Sequence, residues 1–278
     1  MARTNALNIT LDGTVKDQLA EIYDKVIDSI QKSAVSMRIK NQNFSGDPST
    51  GSVEISRFKN AAVAAYGTAR AAGKGQAIQN SGRVTVNINT DKEIVEELEA
   101  KDVKLKGVGS LMARRAVNHD ARMIANLDTD YFAMLVAEGT EVTGVSGSDP
   151  IQDNVEKLIQ GIETTQNDWV DGVDRADIVI TMKPNLFGKL RNYLDTVNDG
   201  KSGEETLHYF HGVEVLSNHR QTKDIIVTIY GSGAQPVTVD EYQDEKIGLS
   251  NAHAVELFYS YGTKAVTPDL VKFANLAA

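Results

Sequence analysis

The sequence predicts an α+β protein organised around a single long helix. Three observations carry that prediction. Residues 110–138 place Met112, Ala116, Val117, Met123, Ile124, Leu127, Tyr131, Met134 and Leu135 at helical spacing, which marks one continuous apolar stripe. Before them, 53–59 and 83–89 alternate apolar and polar side chains with the period-two pattern of half-buried strands. After them, short apolar strands cluster late in the chain instead of alternating strictly with helices, the ordering of an α+β fold.

In chain order, residues 14–34 carry Val15, Leu19, Ile22, Tyr23, Val26 and Ile30 on one stripe, an amphipathic helix with Asp12 or Thr14 as N-cap. A loop rich in turn formers, 41–52, leads to the first strand, where Val53, Ile55 and Phe58 oppose Glu54, Ser56, Arg57 and Lys59. The return strand sets Val84, Val86 and Ile88 against Arg83, Thr85, Asn87 and Asn89. If the two strands pair, a long, alanine-rich and glycine-punctuated segment projects beyond them, and loops of that length inside compact domains are usually functional. Thr90 and Glu93 form a capping-box pattern that predicts a helix over 91–104.

The long helix follows. Gly107 and Gly109 bracket its start, and Gly139 stands where a left-handed cap would end it. The stripe opposite the apolar one is Arg115, Asn118, His119, Arg122, Asn126, Thr129 and Asp130. Asp149, Pro150 and Gln152 open the next helix as N-cap, first position and box partner, with Ile151, Val155, Leu158, Ile159 and Ile162 as its buried stripe. Residues 177–182 read as an apolar strand, 184–194 as a helix and 198–207 as a surface loop. Further strands are expected at 212–217, 224–230, 236–240 and 254–261.

Composition narrows the function classes. The 278 residues are 41% hydrophobic and 24% charged, ordinary for a soluble globular protein. No apolar run approaches the ~20 residues of a membrane span, so no membrane partner is expected. Residues 1–17 have neither the apolar core nor the cleavage site of a secretory signal. With no cysteine, disulfides, thiolate metal sites and a cysteine nucleophile are excluded. A net charge of −9 and a pI near 5.1 argue against a large basic face dedicated to nucleic acid.

Charge is unevenly distributed. Residues 41–89 hold five basic side chains (Arg57, Lys59, Arg70, Lys74, Arg83) against Asp47 and Glu54. The following 91–104 segment holds six acidic ones, among them Glu93, Glu96, Glu97 and Glu99, against three lysines. A basic hairpin on an acidic protein is either offered to an acidic partner, most simply a second copy of the chain, or is a solvated loop with scattered charges. The first reading makes Arg57, Phe58, Lys59, Tyr66, Arg70, Lys74 and Arg83 contact residues and Glu93, Glu96, Glu97 and Glu99 their counter-surface. The expected core of the long helix is Val117, Ile124, Leu127, Tyr131 and Leu135.

Catalytic motifs fail on spacing. Gly67-TARAA-Gly73-Lys74-Gly75 has five residues between its glycines where a phosphate loop needs four, and Gly75 replaces the hydroxyl residue that would hold a metal. Gly144 to Ser148 lacks the G-x-S-x-G spacing of a nucleophile elbow. His208, His211 and His219 have no carboxylate at ligand spacing and are expected to be surface or partly buried structural residues. Asp120 falls inside the apolar stripe; it either forms a register-fixing or proton-linked pair or, as expected here, reaches solvent or caps a passing segment. No catalytic residue, cofactor or metal site is assigned.

The segments VEISRFKNAAVAAYGTARAAGKG and RVTVNINTDKEIVEELEAKDV resemble the extended loop, and its return, of the major capsid proteins of tailed bacteriophages, the HK-ninety-seven-type shell fold shared with encapsulins. Residues 110–138 resemble that family's spine helix. DPIQDNVEKLIQGI and DIVITMKPNLFGKLRNYL resemble parts of its axial domain, and VELFYSYGTKAVTPDLVKF its last return to the peripheral domain. The resemblance covers nearly the whole chain as an order of elements and contains no catalytic motif. It implies an N-terminal arm at 1–40, an extended loop at 41–90, a peripheral domain at 91–148, an axial domain at 149–253 and a peripheral return at 254–278.

What the resemblance implies about function is a non-enzymatic subunit that self-assembles through pentamers and hexamers into an icosahedral shell around double-stranded phage DNA. The DNA would be enclosed without sequence-specific binding, in a virion put together in the host bacterial cytoplasm. Since only about forty residues precede the extended loop, a separate scaffolding protein, with a portal, is expected. Lys–Asn cross-linking, known in some relatives, is not carried over, because no acceptor or catalytic acid is identifiable beside Lys59 or Lys74. An encapsulin-type compartment is the alternative, and a nucleotide-binding enzyme using 67–75 a remote one.

Overall fold

A computed structural model describes residues 34–75, 82–98, 108–197, 208–239, 243–246 and 253–276. The expected helix 14–34, but for its last residue, and the loop 198–207 lie outside them, as does Glu99. In order, the described elements begin with α1 (Val35–Ile39), β1 (Ser52–Arg57), α2 (Thr68–Ala72), β2 (Gly82–Asn87) and β3 (Thr90–Leu98). The long helix α3 (Val108–Glu138), β4 (Thr140–Glu141), α4 (Ile151–Glu163), β5 (Ile178–Met182) and α5 (Pro184–Val197) follow. The remainder is β6 (Tyr209–Phe210), β7 (Val213–Ser217), β8 (Ile225–Ile229), β9 (Gly233–Ala234), β10 (Val237–Val239), β11 (Gln243–Lys246), β12 (His253–Tyr261), β13 (Lys264–Ala265) and β14 (Lys272–Ala274).

Two sheets share one helix. A six-stranded mixed sheet runs β4-β14-β8-β5-β7-β6. One face of its central strands (Ile178, Ile180, Met182, Val215, Val227) packs on Val155, Leu158, Ile159 and Ile162 of α4 and on Leu186 and Leu190 of α5. The other face (Val179, Leu216, Ile226, Phe273) packs on Tyr131, Phe132 and Leu135 of α3. Burial on both faces is why β5 reads as a continuous apolar run. In the second sheet β12 is central, with β3 along one side and β10 and β11 along the other. Leu257, Tyr259 and Tyr261 of β12 and Ile94 of β3 pack on Met123, Ile124 and Leu127.

Between those two contact zones, Asp128 of α3 is fully buried at 0% exposure. Its carboxylate accepts hydrogen bonds from the backbone N–H groups of Val35 (3.3 Å) and Ser36 (3.0 Å), capping α1, and from Arg220 Nη1 at 2.7 Å. Burial pushes the nearby Lys40 ammonium down to about 8, the charge of Asp128 partly offsetting that effect. Lys40 Nζ donates to the carbonyl of Gln235 at 2.9 Å, and Gln235 Nε2 to that of Leu127 at 2.9 Å.

Five expectations need correction. The 91–104 segment is not a helix over its described part: residues 90–98 form a strand paired in full with β12. The spacing of Ile94 and Leu98 suits either state, and the open edge of the apolar β12 outweighs the helix propensity of the glutamates. Val117 is 70% exposed, although Ile124, Leu127, Tyr131 and Leu135 are buried. One turn before Met123 the buried positions are His119 and Asp120, so the covered stripe has rotated towards β3 and away from Val117. Asp120 accordingly does not reach solvent, being 8% exposed.

Gly139 is not a left-handed cap either. Its N–H continues the helical pattern to Leu135 O at 2.9 Å, and the chain enters β4 through Thr140 N–H to Val271 O at 2.9 Å. A Cβ at 139 would lie 2.6 Å from Leu135 O and 2.7 Å from Val271 Cγ1, so glycine is needed here for close approach. At the start of α4 the helix begins at Ile151 without a side-chain cap on residue 150. Buried Asn154 instead ties down the preceding turn, donating to Ser146 O at 2.7 Å and accepting from Ser146 N–H at 3.3 Å.

Leu127→Ala is expected to destabilise the subunit by about 2–5 kcal/mol in urea unfolding, whereas Val117→Ala stays within about 0.5 kcal/mol. Asp128→Ala removes the partner of Arg220 and of the backbone N–H groups of Val35 and Ser36, and its expected cost is about 3–5 kcal/mol in the same measurement.

Candidate functional site

The feature that the core does not explain is the hairpin β1–β2. Its register runs Ser52↔Asn87 to Arg57↔Gly82, and Val53, Ile55 and Val86 bury its inner face against Ala234 and Val266. Arg83 Nη1 reaches diagonally to Glu54 Oε2 at 3.1 Å, an exposed pair of small energetic weight. Beyond the paired region every described residue from Asn60 to Gly75 is exposed. Val63 and Tyr66 are fully solvated and Phe58 is more than half so.

The base of this hairpin is held by its own subunit. Arg57 Nη2 lies 2.7 Å from both carboxylate oxygens of Asp269, in the 3₁₀ turn Pro268–Leu270, and its side chain is only 15% exposed. Asn167 Nδ2 donates to the same carboxylate at 2.8 Å. Lys59 Nζ sits 2.8 Å from Asp168 Oδ2, and the Asn60 N–H donates to the Asp168 carbonyl at 2.9 Å. The indole of Trp169 carries both cations: the Arg57 guanidinium is 5.0 Å from a ring centroid and the Lys59 ammonium 5.4 Å, within cation–π range. Arg57 and Lys59 therefore have partners inside the chain. The tip charges Arg70 and Lys74 are exposed.

Electrostatics follow from these contacts. Burial works against the charge on Asp269, but the hydrogen bonds from Arg57 and Asn167 outweigh it and hold the carboxyl below its ordinary range. The hydrogen bond from Lys59 does the same for Asp168.

The acidic counter-surface divides in two. Glu96, on the inner face of β3, is taken up by Arg115, which it meets through both oxygens, and by His119 Nε2 at 3.0 Å. Arg115 holds the Glu96 carboxyl below its ordinary value, against the opposing effect of burial. Glu93 and Glu97, on the outer face with Val95, are exposed.

Features that resembled catalytic motifs carry no such geometry. Residues 68–72 form a short exposed helix bounded by Gly67 and Gly73, with φ of 94° and 69°, and no buried strand feeds it. Ser146 Oγ faces Ser148 Oγ at 2.8 Å. His211 Nδ1 approaches Glu156 Oε2 at 3.3 Å, and Glu156 in turn binds Arg175 at 2.7 Å; no nucleophile joins them among these contacts. Among the described residues there is no cluster of histidine or acidic side chains able to hold a metal ion, and no helix is long and apolar enough to cross a membrane.

Reading residue types alone missed Asn167, Asp168, Trp169 and Asp269. The one available signal was a single tryptophan, Trp169, directly after the polar run 166–168. That tryptophan makes the clasp observable. Because the folded-state value of Asp269 is lowered, its contribution is complete above the ordinary carboxylate value of about 4 and disappears as pH falls through the lowered one. Trp169 emission is expected to shift to the red over that acid window, ahead of global unfolding. Asp269→Asn should produce the shift at neutral pH.

No family model matches the chain, and no curated protein matches it. Solved structures do. A Mycobacterium phage Che8 structure aligns with a TM-score of 0.60 at 18% identity, covering 81% of this chain and 84% of the other. The capsid of a native GTA particle aligns with a TM-score of 0.62 at 12% identity, covering 88% and 90%. A virus-like particle from Pyrococcus furiosus aligns with a TM-score of 0.58 at 9% identity, covering 92% and 98%. The chain has the HK-ninety-seven-type fold of capsid shells.

Proposed function

We propose that this chain is the major capsid subunit of a tailed bacteriophage, which self-assembles into a closed icosahedral shell around double-stranded DNA. The observation that carries the reading is the match to a capsid and to a virus-like particle, over at least 88% of both chains in each alignment. The exposed hairpin tip supports it, since Val63 and Tyr66 gain nothing from full solvation in a monomer. In this reading 1–40 is an arm, 41–90 the extended loop, 91–148 with 254–278 the peripheral domain and 149–253 the axial domain. Pentamers and hexamers are its capsomers, a separate scaffolding protein and a portal its assembly partners, and the host cytoplasm its place of assembly. The chain acts as a structural protein without enzymatic chemistry or a cofactor. Its net charge of −9 suits an inner wall that repels packaged DNA and leaves it mobile.

With Arg57 and Lys59 engaged inside the subunit, Arg70 and Lys74 at the tip are the cations offered to a neighbour, and Glu93 and Glu97 on the outer face of β3 are the anions that meet them. An encapsulin-type compartment is the second reading, favoured by the match to the virus-like particle; shell contents, DNA or an enclosed enzyme, separate the two.

The test is sedimentation of the full-length chain, with and without its scaffold, as concentration is raised. Wild type is expected to convert to megadalton particles; a small species at every concentration would overturn the reading. Arg70→Glu with Lys74→Glu should raise the concentration threshold about tenfold or abolish assembly while leaving subunit melting unchanged. Adding Glu93→Lys and Glu97→Lys should restore it.

A further inference from the structure

The clasp at the hairpin base has a consequence beyond the interface itself. A two-stranded ribbon is marginally stable alone, and this one sends an exposed segment away from the body of the subunit. Its direction of exit is therefore set where the two strands leave the core. At that point the chain places a ring, not a further apolar contact. Trp169 receives Arg57 and Lys59 from the outgoing strand, while Gly82, the first residue of the returning strand, faces the same indole: a Cβ there would stand 2.6 Å from its Cη2. The turn that carries Trp169 is itself fixed. Asn167 Oδ1 accepts the N–H groups of Trp169 (2.8 Å) and Val170 (2.9 Å), and the Asn167 N–H donates to Val170 O at 2.8 Å.

We propose that Trp169 is a positioning residue: an aromatic latch, donated by the 167–170 turn of the same subunit, that fixes the angle at which the extended hairpin leaves the body. Each cation is held twice, by a carboxylate and by the ring, so the latch resists sliding in the plane of the indole as well as lifting from it. The same construction makes it releasable. Its parts are polar and partly solvated, and opening it uncovers a single ring instead of a core. A hairpin that must meet a neighbouring copy gains affinity from being held in advance in one direction, because less freedom is lost on contact. This role in assembly rests on the shell reading; the latch itself does not.

The test reads hairpin direction directly. The chain has no cysteine, so Ala71→Cys at the tip and Ala133→Cys on the exposed side of α3 place two spin labels without background. Labelled full-length chain is diluted into an excess of unlabelled chain, so that electron–electron dipolar spectroscopy reports only distances within one subunit. The otherwise wild-type chain is expected to give one narrow distance peak. Trp169→Ala should lose it to a broad distribution, and Gly82→Ala, which drives a methyl group into the indole, should do the same. Trp169→Phe, which keeps a cation-binding ring, should retain a narrow peak. Far-ultraviolet circular dichroism and the melting transition of each variant separate release of the latch from failure to fold.

A narrow, unshifted peak in folded Trp169→Ala, or a broad one in wild type, would overturn the proposal. Particle formation is scored on the same samples by sedimentation: a wild type that stays small removes the shell reading and leaves the distance result standing. Loss of the narrow peak with unchanged assembly would overturn the role in assembly alone.

Discussion

The structure depends on one helix serving two sheets, and the constraint that holds the two contacts in register is the carboxylate of Asp128. It lies between Leu127, which packs on the β12 sheet, and Tyr131, which packs on the six-stranded sheet. A buried charge is tolerable only when paired and hydrogen-bonded, and Asp128 meets that requirement with the end of α1 and with Arg220. Those partners come from either side of the spine in sequence, 92 residues away in the case of Ser36 and of Arg220. Rotating or sliding the helix would strand the charge, so apolar packing supplies the affinity between the layers and this group supplies their register.

Against that rigid frame, the hairpin is the part whose contacts are incomplete. The sheets and helices bury their apolar faces within the subunit; the described tip buries nothing. The boundary between the two regimes falls at the clasp, where burial gives way to charge-assisted hydrogen bonds and ring contacts. Such contacts are directional and solvent-sensitive, which suits a joint better than a core. Function, in the shell reading, is then divided: the spine keeps each copy the same shape, the clasp aims the hairpin, and the tip meets the neighbour.

What was legible in the sequence follows from what periodicity encodes. The long helix, α4 and the strand pair β1–β2 bury one-sided patterns, and β5, covered on both faces, is a continuous apolar run, so their positions could be read directly. The strand at 90–98 could not, because its helix-favouring glutamates and capping pattern are local signals, whereas its pairing with β12 is a contact over 150 residues of chain. Val117 sits on the right side of an ideal wheel yet outside the area covered by the sheet, a matter of how the covered stripe rotates along the helix. Residue type marked Arg57 and Lys59 as contact residues; their partners, Asp168, Trp169 and Asp269, lie more than a hundred positions away, beyond the reach of any local pattern.

The most direct test of the account is an electron micrograph of the assembled full-length chain, taken to a resolution at which subunits are separated. Closed shells of pentamers and hexamers are expected, with each β1–β2 tip lying over the β3 strand of an adjacent copy. Open sheets, fibres or discrete small oligomers, or shells in which the tips contact no other subunit, would contradict it.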